Sequence, residues 1–339
     1  MTDGSGLVIV DKPGGWTSHD VVARIRRLAG TRRVGHAGTL DPMATGVLVV
    51  GVGQATRLLG HLALTQKQYS ATVRLGQATS TDDAEGEVIS RQRAADLDPE
   101  LLLAAVRGLT GEIQQVPPAV SAIKVGGKRA YRLAREGTPP ELAARTVRVS
   151  SLTVLGIRPQ ADLLDVDIEV TCSSGTYIRS IARDLGAALG VGGHLTALRR
   201  TRVGPYALAA ARTLDQLAVS LELIPLADAA AAAFPRRDLT AEQARLVSHG
   251  GALPAAGSAQ QDSAQQDSAQ QDSARQDNAQ QDKAGQDSAE QCAVGQGAAA
   301  AGHAAASSPV AAFGPDGALI ALLTEEDGLA RPLAVFAAQ

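Results

Sequence analysis

A polar repeat near the C-terminus limits how this chain can fold. Residues 258–294 repeat a five-residue unit close to Gln-Gln-Asp-Ser-Ala, whose most regular element is a Gln-Asp pair. A period of five matches neither an α-helix nor a β-strand, so the segment has no apolar face to bury. Without such burial it cannot offset the entropy lost on ordering. We therefore predict a disordered insert at about 255–308, including its Ala/Gly/Ser-rich flanks.

The insert also hides a charge difference along the chain. The whole chain has a net charge of -3, but residues 1–225 hold 26 Lys+Arg against 21 Asp+Glu, which is +5. A positive region with clustered basic side chains indicates an anionic partner such as a nucleic acid, although each cluster alone is also typical of a solvated surface. The clusters are Arg24, Arg26, Arg27, Arg32 and Arg33; Lys124, Lys128, Arg129, Arg132 and Arg135; and Arg199, Arg200 and Arg202.

The apolar pattern before the insert mixes strands and helices without a regular βαβ repeat. This favours a mixed α/β or α+β fold over a doubly wound sheet. After residue 225, the chain is expected to form a small unit split by the insert, with a hairpin turning at Gly314–Gly317. We predict strands at 6–10, 46–52, 69–75, 147–157 and 163–172, helices at 18–28, 101–109 and 177–189, and a loop at 34–45.

Several classes of function find no support in the pattern. The six histidines show no HxxxH or HxH spacing, and Cys172 and Cys292 form neither a zinc cluster nor a disulfide framework. Gly51–Thr56 does not complete a dinucleotide fingerprint, and a Walker motif is absent. We therefore expect no metal and no cofactor. With no membrane-length apolar run and no signal-peptide pattern at the start, the expected location is the cytoplasm.

Three polar segments could carry chemistry. The first is a glycine-dense loop containing His36 and Asp41, where Asp41 either caps a turn of helix with Pro42 as its first residue or serves as a catalytic carboxylate. The second is Ser173–Ser180, in which Thr176 is predicted to cap a helix. Tyr177 and Arg179 then lie near the N-terminus of that helix. The third is the strand that carries Tyr69, where half-buried packing is the simpler interpretation.

Together these segments resemble the bacterial tRNA pseudouridine-55 synthase family. The resemblance implies a catalytic domain at 1–225 built on a mixed, largely antiparallel sheet, and a small β-rich PUA-like RNA-binding domain at 226–339, interrupted by the insert. It also implies an isomerase acting on the T arm of tRNA, with no cofactor, no membrane attachment and no obligate protein partner, as a monomer. The matching motifs are VDKPGGWTS from Val10, GHAGTLDPMATGVL from Gly35, KQYSATVRLG from Lys67, PPAVSAIK from Pro117, SGTYIRSIARDLG from Ser174 and HLTALRR from His194.

The resemblance implies a role for each site residue. Asp41 would be the catalytic carboxylate, Arg179 would keep it ionised, and Tyr69 would stack on the uracil and serve in proton transfer from C5. The remaining residues would bind substrate: His36 fills the space left by the flipped base, Tyr177 and Leu198 line the base pocket, and Lys12, with Pro13, braces the Asp41 loop.

Other functions stay open at this point. A pseudouridine synthase directed to another RNA site would share these motifs, as guide-dependent relatives do. A catalytically silent RNA-binding protein could keep the fold, although Asp41, Tyr69 and Arg179 are all present. A phosphoryl- or acyl-transfer enzyme could use Asp41 as its nucleophile, but the chain lacks a recognisable phosphate loop or metal motif.

Deleting residues 258–308 is expected to leave both the fold and the activity nearly intact. The polar repeat buries nothing, and a shorter connection costs slightly less loop-closure entropy. Melting temperature and tRNA modification rate, compared between the full chain and the deletion variant, test this expectation. A variant that melts much earlier, or loses most of its activity, would show that the insert is ordered or takes part in the reaction.

Overall fold

The computed structural model of the chain describes residues 4–120, 124–125, 128–129, 142–255 and 308–336. The predicted insert lies almost entirely outside these residues. The chain divides into two compact units, Met1–Ala233 and Phe234–Gln339. The division follows helix Leu226–Ala233, so it lies one short helix beyond the boundary that we placed at 225.

The described residues form the following elements. The helices are α1 Ser18–Ala29, α2 Leu59–Leu62, α3 Pro99–Gly108, α4 Ile178–Ala188, α5 Leu214–Val219, α6 Leu226–Ala233 and α7 Ala241–Ser248. The strands of the first unit are β1 Gly6–Lys12, β2 Val34–Ala37, β3 Thr45–Val52, β4 Lys67–Leu75, β5 Gln77–Thr79, β6 Val88–Arg91, β7 Gly111–Gln115, β8 Lys124–Val125, β9 Lys128–Arg129, β10 Arg145–Gln160, β11 Leu163–Cys172, β12 Gly193–Val203, β13 Tyr206–Ala207 and β14 Ile224–Pro225. Those of the second unit are β15 Arg236–Asp238, β16 Leu253–Pro254, β17 Val310–Phe313, β18 Leu319–Glu326 and β19 Leu329–Val335.

The first unit is built on one ten-stranded sheet. Its order is β14-β1-β3-β12-β4-β11-β10-β7, with β2 paired to β3 and β13 to β12. The β3–β12 pair is parallel, and the other described pairs of this sheet are antiparallel. The predicted mixed fold with a largely antiparallel sheet is therefore confirmed.

Two apolar clusters pack helices against this sheet. Residues from β4, β11 and β12 form one cluster with α3 and α4, including Val73, Ile168 and Ile181. Residues from β1 and β3 form the other with α1 and α5, including Val10 and Ile25. With few aromatic residues available, both clusters are built mainly from Val, Leu, Ile and Ala, whose β-branched members favour strands.

Two helix starts differ in their capping. Thr17 and Asp20 form a reciprocal capping box at α1, and Gly30 ends this helix in the left-handed conformation. The prediction that Thr176 caps α4 is wrong. The N-cap residue is Tyr177, without a side-chain capping bond, because the Thr176 hydroxyl donates to the Ser173 carbonyl at 3.0 Å.

Two strands differ from the predicted elements. We predicted a loop for 34–45, but its first four residues form β2 and pair with β3. The basic cluster at Arg199 lies on β12, a stretch for which we predicted no strand. In both places polar residues and glycine interrupt the alternation that identifies a strand, and the tertiary pairing prevails over the local pattern.

The second unit holds a five-stranded sheet in the order β15-β17-β18-β19-β16. The predicted hairpin is confirmed: β17 and β18 pair antiparallel around a turn at Gly314–Gly317. Helix α7 begins with a capping box between Thr240 and Gln243, and its Val247 packs in the core of this unit. None of the helices in the described part of the chain is long and apolar enough to cross a membrane.

Candidate active site

Asp41 lies in the loop that joins β2 to β3. The loop bends tightly, with the Ala44 N–H donating to the Asp41 carbonyl at 3.1 Å. Residues 38–44 contain no helix, so the helix-cap alternative for Asp41 is wrong. The side chain of Asp41 is 36 % exposed. It is therefore open to a ligand, whereas Leu40 and Ala44 on either side are buried.

Lys12 holds this loop through hydrogen bonds to backbone carbonyls. Its side chain is fully buried, and its ammonium donates to the carbonyl of Pro42 at 3.1 Å and to those of Pro13 and Trp16. Burial lowers the pKa of Lys12 to about 8, and the nearby Asp41 carboxylate opposes that fall. The contact with Pro42 holds the backbone immediately after Asp41.

Arg179, the second residue of α4, pairs with Asp41. Its Nε donates to Asp41 Oδ2 at 2.9 Å, across 138 residues of sequence. Its Nη1 donates to the Thr81 carbonyl at 2.9 Å and lies 3.5 Å from Asp83 Oδ2, and its Nη2 donates to the Val120 carbonyl at 3.0 Å. A planar guanidinium held by all these groups cannot rotate freely, so it fixes the orientation of the Asp41 carboxylate.

A pocket of about 280 Å³ opens beside this ion pair. Tyr69 from β4 and Leu198 from β12 line it, together with Tyr177 at the start of α4. Burial raises the pKa of the Tyr69 hydroxyl, so this group stays protonated at neutral pH. The pocket therefore combines an accessible carboxylate with a buried phenol and an apolar wall, which suits a flat, polar-edged ring.

Gln115, at the end of β7, fixes the start of α4. Its side-chain amide accepts from the Tyr177 N–H at 2.8 Å and donates to the Tyr177 carbonyl at 3.0 Å. Because Tyr177 is the N-cap residue, these bonds position the first turn of the helix and so the guanidinium of Arg179.

Comparisons with known proteins identify the family of this chain. The family model for the TruB family pseudouridylate synthase N-terminal domain matches residues 26–178, and that for the tRNA pseudouridylate synthase B C-terminal domain matches residues 179–229. The tRNA pseudouridine synthase B of Thermobifida fusca is 55 % identical over 98 % of both chains. That of Arthrobacter sp. is 52 % identical over 98 % of this chain and 97 % of the relative.

This chain belongs to the TruB family. Among solved structures, the crystal structure of a Cbf5–Nop10–Gar1 complex is similar over 98 % of this chain and 84 % of the matched chain, with a TM-score of 0.64 and 25 % identity. An H/ACA ribonucleoprotein bound to a substrate RNA has the same TM-score at 24 % identity, over 99 % of this chain and 86 % of that one, which shows the fold alone.

Two of the predicted substrate-binding residues lie outside the pocket of this TruB-family chain. Lys12 contacts backbone carbonyls, as described above. His36, on β2, packs edge-on against His19 with ring centroids 5.5 Å apart. Burial is the main reason that the pKa of His36 falls to about 4, so its ring is uncharged at neutral pH.

Four residues that line or support the pocket were not identified as site residues from the sequence. Asp83 is buried beside Arg179, and Gln115 supports Tyr177. Lys67 and Arg200 line the pocket as buried cations, and burial and the charge of Arg200 lower the pKa of Lys67 to about 8. Of these four, only Lys67 could have been recognised from the sequence. It lies two residues before Tyr69 on the same strand, so both side chains lie on the same face of the sheet.

The third basic cluster is not a uniform surface patch. Arg200 is only 1 % exposed and donates to backbone carbonyls. Arg199 is partly exposed and pairs with Asp11 at 2.7 Å. The interpretation of this cluster as a contact surface for an anionic partner is therefore wrong for Arg200, which is buried.

Potential metal ligands are scattered in the TruB-family chain. Over the stretches that the structure describes, no group of three or more His, Cys, Asp or Glu side chains is placed to hold a metal ion. Cys172 is buried, and burial raises the pKa of its thiol to about 11, which keeps the thiolate form rare.

Proposed function

We propose that this protein isomerises uridine to pseudouridine at position 55 in the T loop of tRNA. The observation that carries the proposal is the Asp41–Arg179 pair at a pocket lined by Tyr69, in a chain that matches tRNA pseudouridine synthases over nearly its whole length. The geometry gives no comparable support to phosphoryl or acyl transfer.

The proposed reaction detaches uracil from its ribose, turns the base and rejoins it through C5. The C1′–N1 bond breaks, a C1′–C5 bond forms, and the hydrogen of C5 leaves while N1 gains one. No atoms are added overall and no electrons are exchanged, so the protein must supply a carboxylate, a base pocket and a route for one proton. Asp41 is the accessible carboxylate of the pocket, and it serves as nucleophile or as base.

Arg179 and Tyr69 have distinct parts in this proposal. Arg179 aims the Asp41 carboxylate through a charge-assisted hydrogen bond. Tyr69 stacks on the uracil and acts as a phenol, because burial raises its pKa. To accept the C5 proton it would pass its own proton onward, and the nearby cation Arg200 makes that loss less costly.

The target base must leave the folded T loop to reach Asp41. Flipping a nucleotide costs about a few kcal/mol, which contacts around the base must offset. We propose that Tyr177 and Leu198 hold the flipped base. His36 fills the space it leaves, and the neutral ring of His36 suits stacking among bases better than binding phosphate.

The site needs only one chain. The candidate catalytic residues Asp41, Tyr69 and Arg179 all lie in the first unit. We propose a monomer that binds one tRNA in the cytoplasm through the net-positive residues 1–225, with the PUA-like second unit contributing further RNA contacts. A mass of one protein and one tRNA by light scattering would support this; a dimeric complex would contradict it.

Release of tritium from tRNA labelled at uracil C5 tests the proposed reaction. We expect at most one tritium per target site in the water, unchanged product mass, and full activity in excess EDTA. A transcript with cytidine at position 55 is the matched control. It keeps the label in its other uridines and should release no tritium. Release that stops with EDTA and returns with a metal would mean that a metal site was missed. A change in the mass of the tRNA would mean that the reaction is a transfer or hydrolysis.

A further inference from the structure

Arg200 occupies a central position in the sheet of the first unit. It lies on β12 between two strands of the site, in register with Gly46 of β3 on one side and with Tyr69 of β4 on the other. A Cβ on Gly46 would lie 2.2 Å from the carbonyl oxygen of Arg200, so glycine is required for β12 to approach this closely. Position 200 is thus where the end of the Asp41 loop meets the strand of Tyr69.

The guanidinium of Arg200 holds the Asp41 loop at both ends. It donates from Nη2 to the Gly38 carbonyl at 3.0 Å and from Nε to the Val47 carbonyl at 2.8 Å, and Nη1 lies 3.4 Å from the Thr39 carbonyl. The carbonyls of Gly38 and Val47 flank the loop on either side of Asp41. Only a rigid fork with several donors can reach all of them at once.

The same guanidinium acts on Tyr69. Burial raises the pKa of the Tyr69 phenol. The positive charge of Arg200 and its hydrogen-bonding contribution lower that pKa and so oppose the rise. Among the residues that the structure describes, no carboxylate lies within ion-pair distance of Arg200, although the side chain is only 1 % exposed. A buried cation whose hydrogen-bond partners are backbone carbonyls is costly to maintain, which favours a role beyond filling space.

We propose that Arg200 is a positioning residue for the pseudouridylation reaction. It fixes the position of the Asp41 loop relative to the Tyr69 phenol, so that both groups contact the same uracil. The inference rests on the proposed function. Arg200 acts through Asp41 and Tyr69, not by binding tRNA phosphates, because its side chain is buried beneath the loop.

Arg200→Lys tests the proposal because it keeps the charge and removes the fork. A lysine cannot donate to both ends of the loop in the same plane, so the loop should shift relative to Tyr69. A displacement of about 1 Å at a reacting group can cost on the order of 10²-fold in rate. We expect the single-turnover rate to fall about 10²-fold, with the tRNA dissociation constant within about threefold of wild type.

The matched control is Arg74→Lys. Arg74 lies on β4, the strand of Tyr69, but it forms a two-pronged ion pair with Asp165 away from the pocket. The same substitution there should leave the rate within about threefold of wild type, because it touches neither the Asp41 loop nor Tyr69.

A double-mutant cycle with Tyr69→Phe separates positioning from simple stabilisation. If Arg200 positions the phenol, Arg200→Lys should slow a Tyr69→Phe protein much less than it slows the wild type. A purely structural role would reduce the folded fraction equally in both backgrounds, and the two rate losses would multiply. Multiplicative losses, or an Arg200→Lys rate within about threefold of wild type, would overturn the proposal.

Gly38→Ala gives a second route if Arg200→Lys fails to fold. Gly38 has a φ of +78°, and an added Cβ would lie 3.4 Å from Lys67 Cε and 3.6 Å from Arg200 Nη1. The methyl group makes only ordinary van der Waals contacts, but alanine is strained at this positive φ, and relief of that strain should move the loop off the guanidinium without removing a buried charge. The same loss of rate at unchanged tRNA affinity is expected, and an unaffected rate would contradict the proposal. If the wild-type protein releases no tritium in the same assay, the proposed function fails and this inference fails with it.

Discussion

Asp41→Asn is expected to abolish pseudouridine formation while tRNA affinity stays within about tenfold of wild type. The amide has nearly the shape of the carboxylate but can neither attack the nucleoside nor take a proton from it. Removal of a central catalytic group typically costs about 10⁴-fold or more in rate. Phosphate contacts dominate the affinity of proteins for nucleic acids, and the substitution leaves them in place. Single-turnover tritium release and filter binding, on protein from a host lacking its own synthase, measure the two quantities.

Asp83→Asn is the matched control for this prediction. Asp83 lies 3.5 Å from the same guanidinium as Asp41, yet it does not line the pocket. Loss of this ion-pair partner should slow the reaction about 10- to 100-fold, the usual cost of removing a group that orients a residue of the site. An active Asp41→Asn protein would remove Asp41 from the catalytic role. Equal losses at both positions would mean that the Arg179 network as a whole, rather than the Asp41 carboxylate, limits the rate.

The parts of the site that the sequence could predict are those with a local signal. The glycine-rich segment around Asp41 follows the predicted helix at 18–28 and precedes a continuous apolar strand at 46–52, which marks it as a loop on a rigid frame. The helix of Arg179 shows clear apolar spacing. The pairing of Asp41 with Arg179 could be expected only from the family resemblance, because no local pattern encodes a contact across 138 residues.

The supporting residues could not be predicted for a different physical reason. The partners of Lys12 and Arg200 are backbone carbonyls, which every residue carries, so no pairing of residue types shows in the sequence. Arg200 also places a charge at an inward position of β12, which breaks the alternation expected of a half-buried strand. Both the strand and the buried cation were therefore missed together, and basic clustering suggested a surface instead.

The ends of the helices, too, were predicted well where the signal is local and missed where it is not. The predicted helix at 18–28 matches α1 closely because Thr17 and Gly30 give strong start and stop signals. The start of α4 was misjudged at Thr176, where the actual N-cap residue, Tyr177, is held by Gln115 from a distant strand. Tertiary hydrogen bonds thus replace the usual cap in the helix that presents Arg179 to the pocket.

Arg179→Lys is expected to lower the single-turnover rate about 10²- to 10³-fold, with tRNA affinity within about threefold of wild type. Lysine keeps the positive charge near Asp41 but has a single ammonium on a flexible chain. It cannot bond Asp41 Oδ2 and the carbonyls of Thr81 and Val120 at once, as the guanidinium does. The Asp41 carboxylate would lose its fixed direction, and loss of one preorganised contact typically costs a factor of this size.

Arg183→Lys, one turn further along α4, provides the control for this substitution. Arg183 is also an arginine in ion pairs, with Asp82 and Asp184, but its side chain is 29 % exposed and does not line the pocket. These pairs are partly exposed and lie outside the pocket, so a rate change of less than about fivefold is expected. If Arg179→Lys retains a rate within about tenfold of wild type, Asp41 needs only a nearby cation and not an oriented fork. If it instead loses tRNA affinity in proportion to rate, Arg179 serves in binding, and the orientation of Asp41 must come from the buried cations beneath its loop.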